Sequence, residues 1–160
     1  MNRNRKDLKL SSDHQYLITP YWFLGFVEGE GSFWVSTKEL RLCFGLTQAN
    51  TDLELMKEIC QFLNNLPGAK SDPGCDYEGA RVFISRKQTP ERRGQCDIKV
   101  TDTGFIRDVI IPFLDSLIWR SKKHKDLLDW KVILKLKDLG MHYTEEGLEL
   151  IKKKNHEPNE

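Results

Sequence analysis

The chain contains no run of 18 or more apolar residues, so a membrane-spanning helix is not expected. Behind its charged opening, MNRNRKDLKLSSD, no apolar segment follows, so a secretory signal is not expected either, and the chain reads as intracellular. Cysteine is sparse. Cys43, Cys60, Cys75 and Cys96 are separated by 17, 15 and 21 residues with no Cys-x-x-Cys pair, which argues against a clustered zinc site. A chain of 160 residues needs no disulfide frame, so reduced, partly buried thiols are expected. The four histidines, His14, His124, His142 and His156, lack metal-ligand spacing and read as surface or local structure. Neither sign of charge dominates, with 25 Lys and Arg against 24 Asp and Glu. Being 39% apolar and 31% charged, the chain is not collagen, mucin or wholly disordered; it has the size and balance of one compact domain.

The formal net charge of +1 conceals a strong segregation. Residues 81 to 125 carry eleven basic side chains against five acidic ones, whereas residues 28 to 80 carry four basic against nine acidic. Arg3, Arg5, Lys6 and Lys9 crowd the first ten positions against Asp7 alone. A basic block beside an acidic one suits a protein that presents an electropositive surface to a polyanion and uses or hides carboxylates elsewhere. On charge alone, unrelated solvated faces are an equal alternative.

Residues 1–13 read as a flexible basic tail, 14–155 as a single domain and 156–160 as a loose tail. Thr19-Pro20 starts a helix from Tyr21 to about Glu28 that is apolar almost all round, so it must be buried on more than one side. Alternation then sets in: Ser32, Trp34, Ser36 and Lys38 share one face and Phe33, Val35 and Thr37 the other. After a turn near Glu39, Leu40 to Gln48 alternates with Leu42, Phe44 and Leu46 inward, completing a hairpin. Asn50-Thr51-Asp52 offers caps for an amphipathic helix carrying Leu55, Met56, Ile59, Cys60 and Leu63. A loop from Pro67 to Gly79 leads to a second hairpin, with Val82 and Ile84 inward on its first strand and Cys96, Ile98 and Val100 inward on its second. Asp102-Thr103 then caps a helix interrupted near Pro112. A further helix spans Asp126 to about Leu139, and a last short one follows Thr144. The pattern predicts an α+β fold: αββαββα with a four-stranded antiparallel sheet backed by helices, followed by C-terminal helices. The uncovered sheet face would be rich in donors and acceptors, and a β-ribbon of that kind fits the DNA major groove.

The segment Phe23-Leu24-Gly25-Phe26-Val27-Glu28-Gly29-Glu30-Gly31 places two carboxylates at the C-terminal end of an apolar helix, against its dipole. A divalent cation would compensate, since carboxylate and carbonyl oxygens suit Mg²⁺ and glycine leaves carbonyls accessible. An acidic helix-to-strand turn without a ligand is the alternative on spacing alone.

This nonapeptide resembles the LAGLIDADG motif of homing endonucleases in the form with Glu at both acids. Leu46-Thr47-Gln48, Ile111-Pro112-Phe113-Leu114 through Ser121-Lys122-Lys123, Asp129-Trp130 and Thr144-Glu145-Glu146-Gly147-Leu148 are similar to later parts of the same family, so the resemblance covers nearly all of residues 14 to 155. It implies that Glu30 coordinates divalent metal at the scissile phosphate and that Gly29 lends the metal its carbonyl. Gln48 would position water, and Lys122 would stand near the attacking water, with Lys123 or Lys125 as alternatives. Glu28 would hold helix ends. The implied cofactor is Mg²⁺, with Mn²⁺ substituting and Ca²⁺ supporting binding without cleavage.

One motif copy supplies one acid helix, whereas cutting two strands needs two, and single-motif members of this family are homodimers. The apolar first helix agrees, with Trp22, Gly25, Phe26, Glu28 and Gly29 as the expected dimer interface. Two sheets would then form a saddle over double-stranded DNA with a near-palindromic site of about two helical turns. Ser32, Trp34, Ser36, Lys38, Arg41, Thr47, Arg81, Ser85, Lys87, Arg92, Arg93, Gln95, Asp97 and Lys99 are the expected DNA contacts. The implied activity is site-specific double-strand cleavage with staggered ends by a free-standing, intron-encoded enzyme of an organelle or a prokaryotic cytoplasm. The alternatives are an intron maturase, whose partner is host intron RNA, and a catalytically silent DNA-binding regulator.

Overall fold

A computed structural model describes residues 17–70 and 77–157. The basic opening segment, His14 and Cys75 lie outside the described residues. At the start of helix α1 (Pro20–Glu30) the Thr19 hydroxyl accepts from the Trp22 amide at 3.2 Å, and Pro20 sits in the first turn, where its missing N–H costs nothing. The helix runs two residues past the expected end near Glu28, so both acids are helical. Strand β1 (Gly31–Val35) follows without a linker. That junction requires glycine, because a Cβ on Gly31 would lie 2.7 Å from the Val27 carbonyl oxygen. The strand ends earlier than expected, so Ser36 and Lys38 fall in the connection to β2 (Leu42–Ala49). There the Leu40 amide donates to the Ser36 carbonyl at 2.8 Å.

Asn50–Asp52 does not supply a side-chain cap for α2 (Leu53–Asn64); it forms a 3₁₀ turn whose Asn50 carbonyl accepts from the Leu53 amide. The backbone thus meets part of the need that a capping side chain would have met. Met56, Ile59, Cys60 and Leu63 are buried, as their spacing predicts. Strands β3 (Arg81–Arg86) and β4 (Gln95–Val100) complete an antiparallel sheet in the order β1-β2-β4-β3. Cys96, Ile98 and Val100 are fully buried on the central β4. Ile84 corrects an expectation: predicted inward, it is 50% exposed, because β3 is an edge strand with a neighbour on one side only. A register shift between Ile84 and Arg86 adds to this.

The Asp102 carboxylate caps α3 (Thr103–Phe105), accepting from the amides of Gly104 and Phe105. The expected interruption near Pro112 is not a break. A π-helical turn, Ile106–Ile110, joins α3 to α4 (Ile111–Asp115), and this wider turn absorbs the bond that Pro112 cannot make and the bulk of its ring. Helix α5 (Lys123–Asp138) begins three residues before the expected Asp126, and Thr144 caps α6 (Glu145–Lys154) by accepting from the Gly147 amide at 3.0 Å.

Helices α1, α2 and α5 pack against the sheet. Phe33 stacks on Phe44 and tilts against Trp130, with ring centroids 5.1 Å apart in each pair. The Trp130 indole N–H donates to the Trp34 carbonyl at 3.0 Å, tying α5 to β1. Past α6, the Asn155 side chain accepts from the Val35 amide and donates to the Val35 carbonyl, both at 2.8 Å, in the manner of a neighbouring strand. His156, expected in a loose tail, lies 2.9 Å from the Asp129 carboxylate, which also accepts from Lys154. The described cysteines, Cys43, Cys60 and Cys96, are free and buried, and burial pushes the Cys60 thiol up to about 11. Among the described residues, no helix is long and apolar enough to cross a membrane.

Candidate functional site

Strand pairing sets out the uncovered face of the sheet in rows. Ser32, Gly45, Lys99 and Arg81 are successive partners across the four strands, as are Thr47, Asp97 and Phe83 across three. The outer edge of the Trp34 ring lies over Gly45: a Cβ there would come within 2.8 Å of it, so glycine leaves the room that the indole occupies. Thr47 donates its hydroxyl hydrogen to Asp97, and the Lys99 ammonium sits 5.5 Å from the centre of the Phe83 ring.

A groove of about 560 Å³ runs along this face, lined by Ser32, Trp34, Ser36, Thr47, Gln95, Asp97 and Lys99 among the expected contacts. Glu157, which no sequence signal had marked, lines it as well; Asn155 is the anchor that brings it there. Other expected contacts lie apart. Arg81 pairs with Glu78 at 3.0 Å, Ser85 donates to the Gln95 carbonyl, Lys38 lies within the β1–β2 turn and Arg41 just before β2, and Lys87 and Arg92 stand exposed in the β3–β4 connection.

At the end of the sheet nearest the C-terminus of α1, a second hollow of about 300 Å³ is lined by Glu30, Gln48, Arg86, Arg93 and Gln95. The structure therefore brings Glu30 and Gln48 together. Glu30 is exposed and has no hydrogen bond or ion pair among the described residues. Glu28 is placed quite differently. One of its carboxylate oxygens accepts from the amides of Arg120 at 2.7 Å and Ser121 at 2.8 Å. The backbone bond from Arg120, aided by that from Ser121, holds this carboxyl below the usual carboxylate range.

That clasp fixes the residues immediately before Lys122, which stands exposed at the start of α5 and does not line the hollow. Lys122, Lys123 and Lys125 are positive charges at a helix N-terminus, where the dipole disfavours them, as it disfavours acids at the end of α1. An anion near the lysines and a cation near the acids would relieve both. Arg86 was missed. Alternation from Val82 and Ile84 sends it inward, but the register shift pairs it with Gln95 and turns it to the groove side.

The outer stripe of α1 is open. Tyr21 is 72% and Trp22 39% exposed, Trp22 stacks on Phe26 with centroids 5.3 Å apart, and a Cβ on Gly25 or Gly29 would meet nothing within 4 Å. Among the described residues, no three His, Cys, Asp or Glu side chains come together as a metal-binding group.

Comparisons with known proteins agree with this fold. The chain is 30% identical over 150 residues to "Uncharacterized mitochondrial protein RF1" of Saccharomyces cerevisiae, a match covering 89% of this chain and 31% of that one. It is 29% identical over 143 residues to "Probable intron-encoded endonuclease 2" of Neurospora crassa, covering 86% and 27%. The chain thus spans less than a third of the length of these curated relatives. Among solved structures, the I-LtrWI LAGLIDADG homing endonuclease bound to target DNA superposes with a TM-score of 0.69 at 27% identity, over 95% of this chain and 48% of that one. The homing endonuclease I-TnaI shares the fold over 89% of this chain and 90% of its own, with a TM-score of 0.65 at 19% identity. The family model described as LAGLIDADG endonuclease matches residues 23–134, more than half of the chain, and the chain belongs to the LAGLIDADG endonuclease family.

Proposed function

We propose that the chain is a site-specific DNA homing endonuclease that acts as a homodimer and hydrolyses one phosphodiester on each strand of a long near-palindromic site. The observation that carries this reading is the shared hollow of Glu30 and Gln48, in which Glu30 keeps an unpaired carboxylate beside a polar, groove-shaped sheet. A protein that only bound DNA would gain nothing from an uncompensated acid at a helix C-terminus. The open stripe of α1 supports pairing with a second copy, which would bring a second Glu30 close to the first.

The donor chemistry fits a divalent cation: Glu30 offers a carboxylate and Gly29 a main-chain carbonyl, both hard oxygen donors, and the second copy offers the same pair. Mg²⁺ is the expected ion, with Mn²⁺ replacing it and Ca²⁺ supporting binding alone. Such an ion supplies charge neutralisation at the phosphate and a more acidic bound water. Gln48 orients a water molecule in the hollow, and Lys122, at the end of the segment clasped by Glu28, places positive charge near the attacked phosphate. In the reaction a water oxygen bonds to phosphorus, the bond to O3′ breaks, and O3′ takes up a proton, leaving a 3′ hydroxyl and a 5′ phosphate. The intron-encoded and mitochondrial names of the relatives support an organellar setting.

The test is incubation with a randomised duplex library in Mg²⁺ and in Ca²⁺, with sequencing of cut and bound fragments. Cleavage at one long near-palindrome in Mg²⁺ is expected. Glu30→Gln should lower the cleavage rate by more than the roughly 10- to 100-fold typical of losing a supporting group, while DNA is still bound. Binding without cutting in either metal overturns the nuclease reading in favour of a DNA-binding regulator, and selective binding of intron RNA with no duplex binding overturns it in favour of a maturase.

A further inference from the structure

We propose that Arg86 holds a non-bridging oxygen of the phosphodiester being cut, an inference that rests on the endonuclease reading above. The register shift after Ile84 turns Arg86 out of the alternation of β3 and sets it opposite Gln95, on the groove side. Its Nε–H donates to the Arg93 carbonyl at 2.8 Å, which fixes the plane of the guanidinium and leaves the terminal nitrogens available. Arg86 lines the same hollow as Glu30 and Gln48.

Opposite charges lining one hollow would ordinarily pair. Here neither Arg86 nor Arg93 forms an ion pair with Glu30 or with any other described acid. The gap between them suits a third group that carries negative charge toward the arginine, and a phosphate is the anion a DNA-binding groove presents. A guanidinium oriented in advance binds phosphate oxygens through charge-assisted bonds that strengthen as charge builds on them during attack at phosphorus. Arg93 has a different part: its main-chain carbonyl, rather than its side chain, orients Arg86.

The test measures affinity of the full chain for its selected duplex in Ca²⁺, with a single neutral methylphosphonate moved along each strand, for the wild type, Arg86→Gln and Arg93→Ala. The wild type should lose about tenfold in affinity when the phosphate at the cut bond is neutralised. Arg86→Gln should bind the unmodified duplex about tenfold more weakly, show a salt dependence shallower by about one per chain, and lose nothing further at that one phosphate. Arg93→Ala keeps the anchoring carbonyl and should retain the wild-type sensitivity there, and matching thermal melts would show that each variant is folded. The proposal is overturned if folded Arg86→Gln keeps the wild-type methylphosphonate profile, or if it loses discrimination at one base pair with an unchanged salt slope, which would make Arg86 a base reader. If the wild type binds no duplex, the endonuclease reading fails and this inference fails with it; if the wild type binds and only the Arg86 profile is unaltered, this inference alone fails.

Discussion

Glu28 and Glu30 stand two positions apart in α1, yet one is held by two backbone amides from 92 and 93 residues away while the other has no partner among the described residues. Removing the first should disturb a loop, and removing the second should disturb chemistry. Glu28→Ala is expected to speed hydrogen exchange at the Arg120 and Ser121 amides and to weaken cleavage, whereas Glu28→Gln, which keeps an accepting oxygen, should restore most of both. Unchanged exchange in Glu28→Ala would show that the clasp does not order the segment before Lys122. These two acids are legible in the sequence because the nonapeptide that marks them is local, and Gln48 because it ends a second short stretch, Leu46-Thr47-Gln48, that resembles the same family. Arg86 is not, because strict alternation from Val82 and Ile84 assigns it to the core, and only a pairing irregularity that depends on β4 reverses it. Glu157 is hidden for a similar reason: its place on the groove depends on an anchor, Asn155, that meets a strand 120 residues earlier.

At the scale of elements, capping chemistry carries over from sequence to structure wherever the partner is a near neighbour, as at Thr19, Asp102 and Thr144. It fails at Asn50–Asp52, where a 3₁₀ turn meets the need through the backbone, and at Pro112, where a π-helical turn carries the chain through a proline that local rules read as a stop. The outer stripe of α1 makes the two-copy reading testable. Gly25→Leu adds bulk where a Cβ meets nothing in one chain, so the fold should survive while sedimentation shifts from dimer to monomer and double-strand cleavage is lost. A dimer that persists in this variant would place the contact elsewhere. The end of α6 offers a second check. Asp129 is desolvated, which alone would raise its pKa, but bonds from His156 and Lys154 outweigh this and hold it below its ordinary 3.8. A carboxyl lowered on folding contributes stability that is fully present above about pH 4 and is lost as pH falls through the lowered value. Asp129→Asn should therefore lower the melting temperature at neutral pH and flatten the acid limb of the melting curve; an unchanged acid limb would count against the clasp.

For the molecule as a whole, the order of elements and the inward faces were readable because one sheet and one helical layer impose simple periods, of two and of about 3.6 residues. The edge strand β3 departs because a period says which way a residue points and nothing about how much covers it. Stability should be concentrated where α1 meets the core. Phe23 is fully buried with its ring near Phe62 and Phe113, and Phe23→Ala should cost about 3–5 kcal/mol, read as a lower denaturation midpoint at unchanged slope. A loss below about 1 kcal/mol would mean that the site collapses around the gap. The side-chain amide of Asn155 has a further effect beyond this molecule. By occupying both main-chain valences of Val35, it closes the border of the sheet at the point where a stray strand from another copy would begin to zip on. Asn155→Leu should leave that border unsealed and let concentrated protein grow dye-binding fibrils under conditions in which the wild type stays dispersed, so a residue far from the Glu30 hollow would govern whether the chain remains in solution.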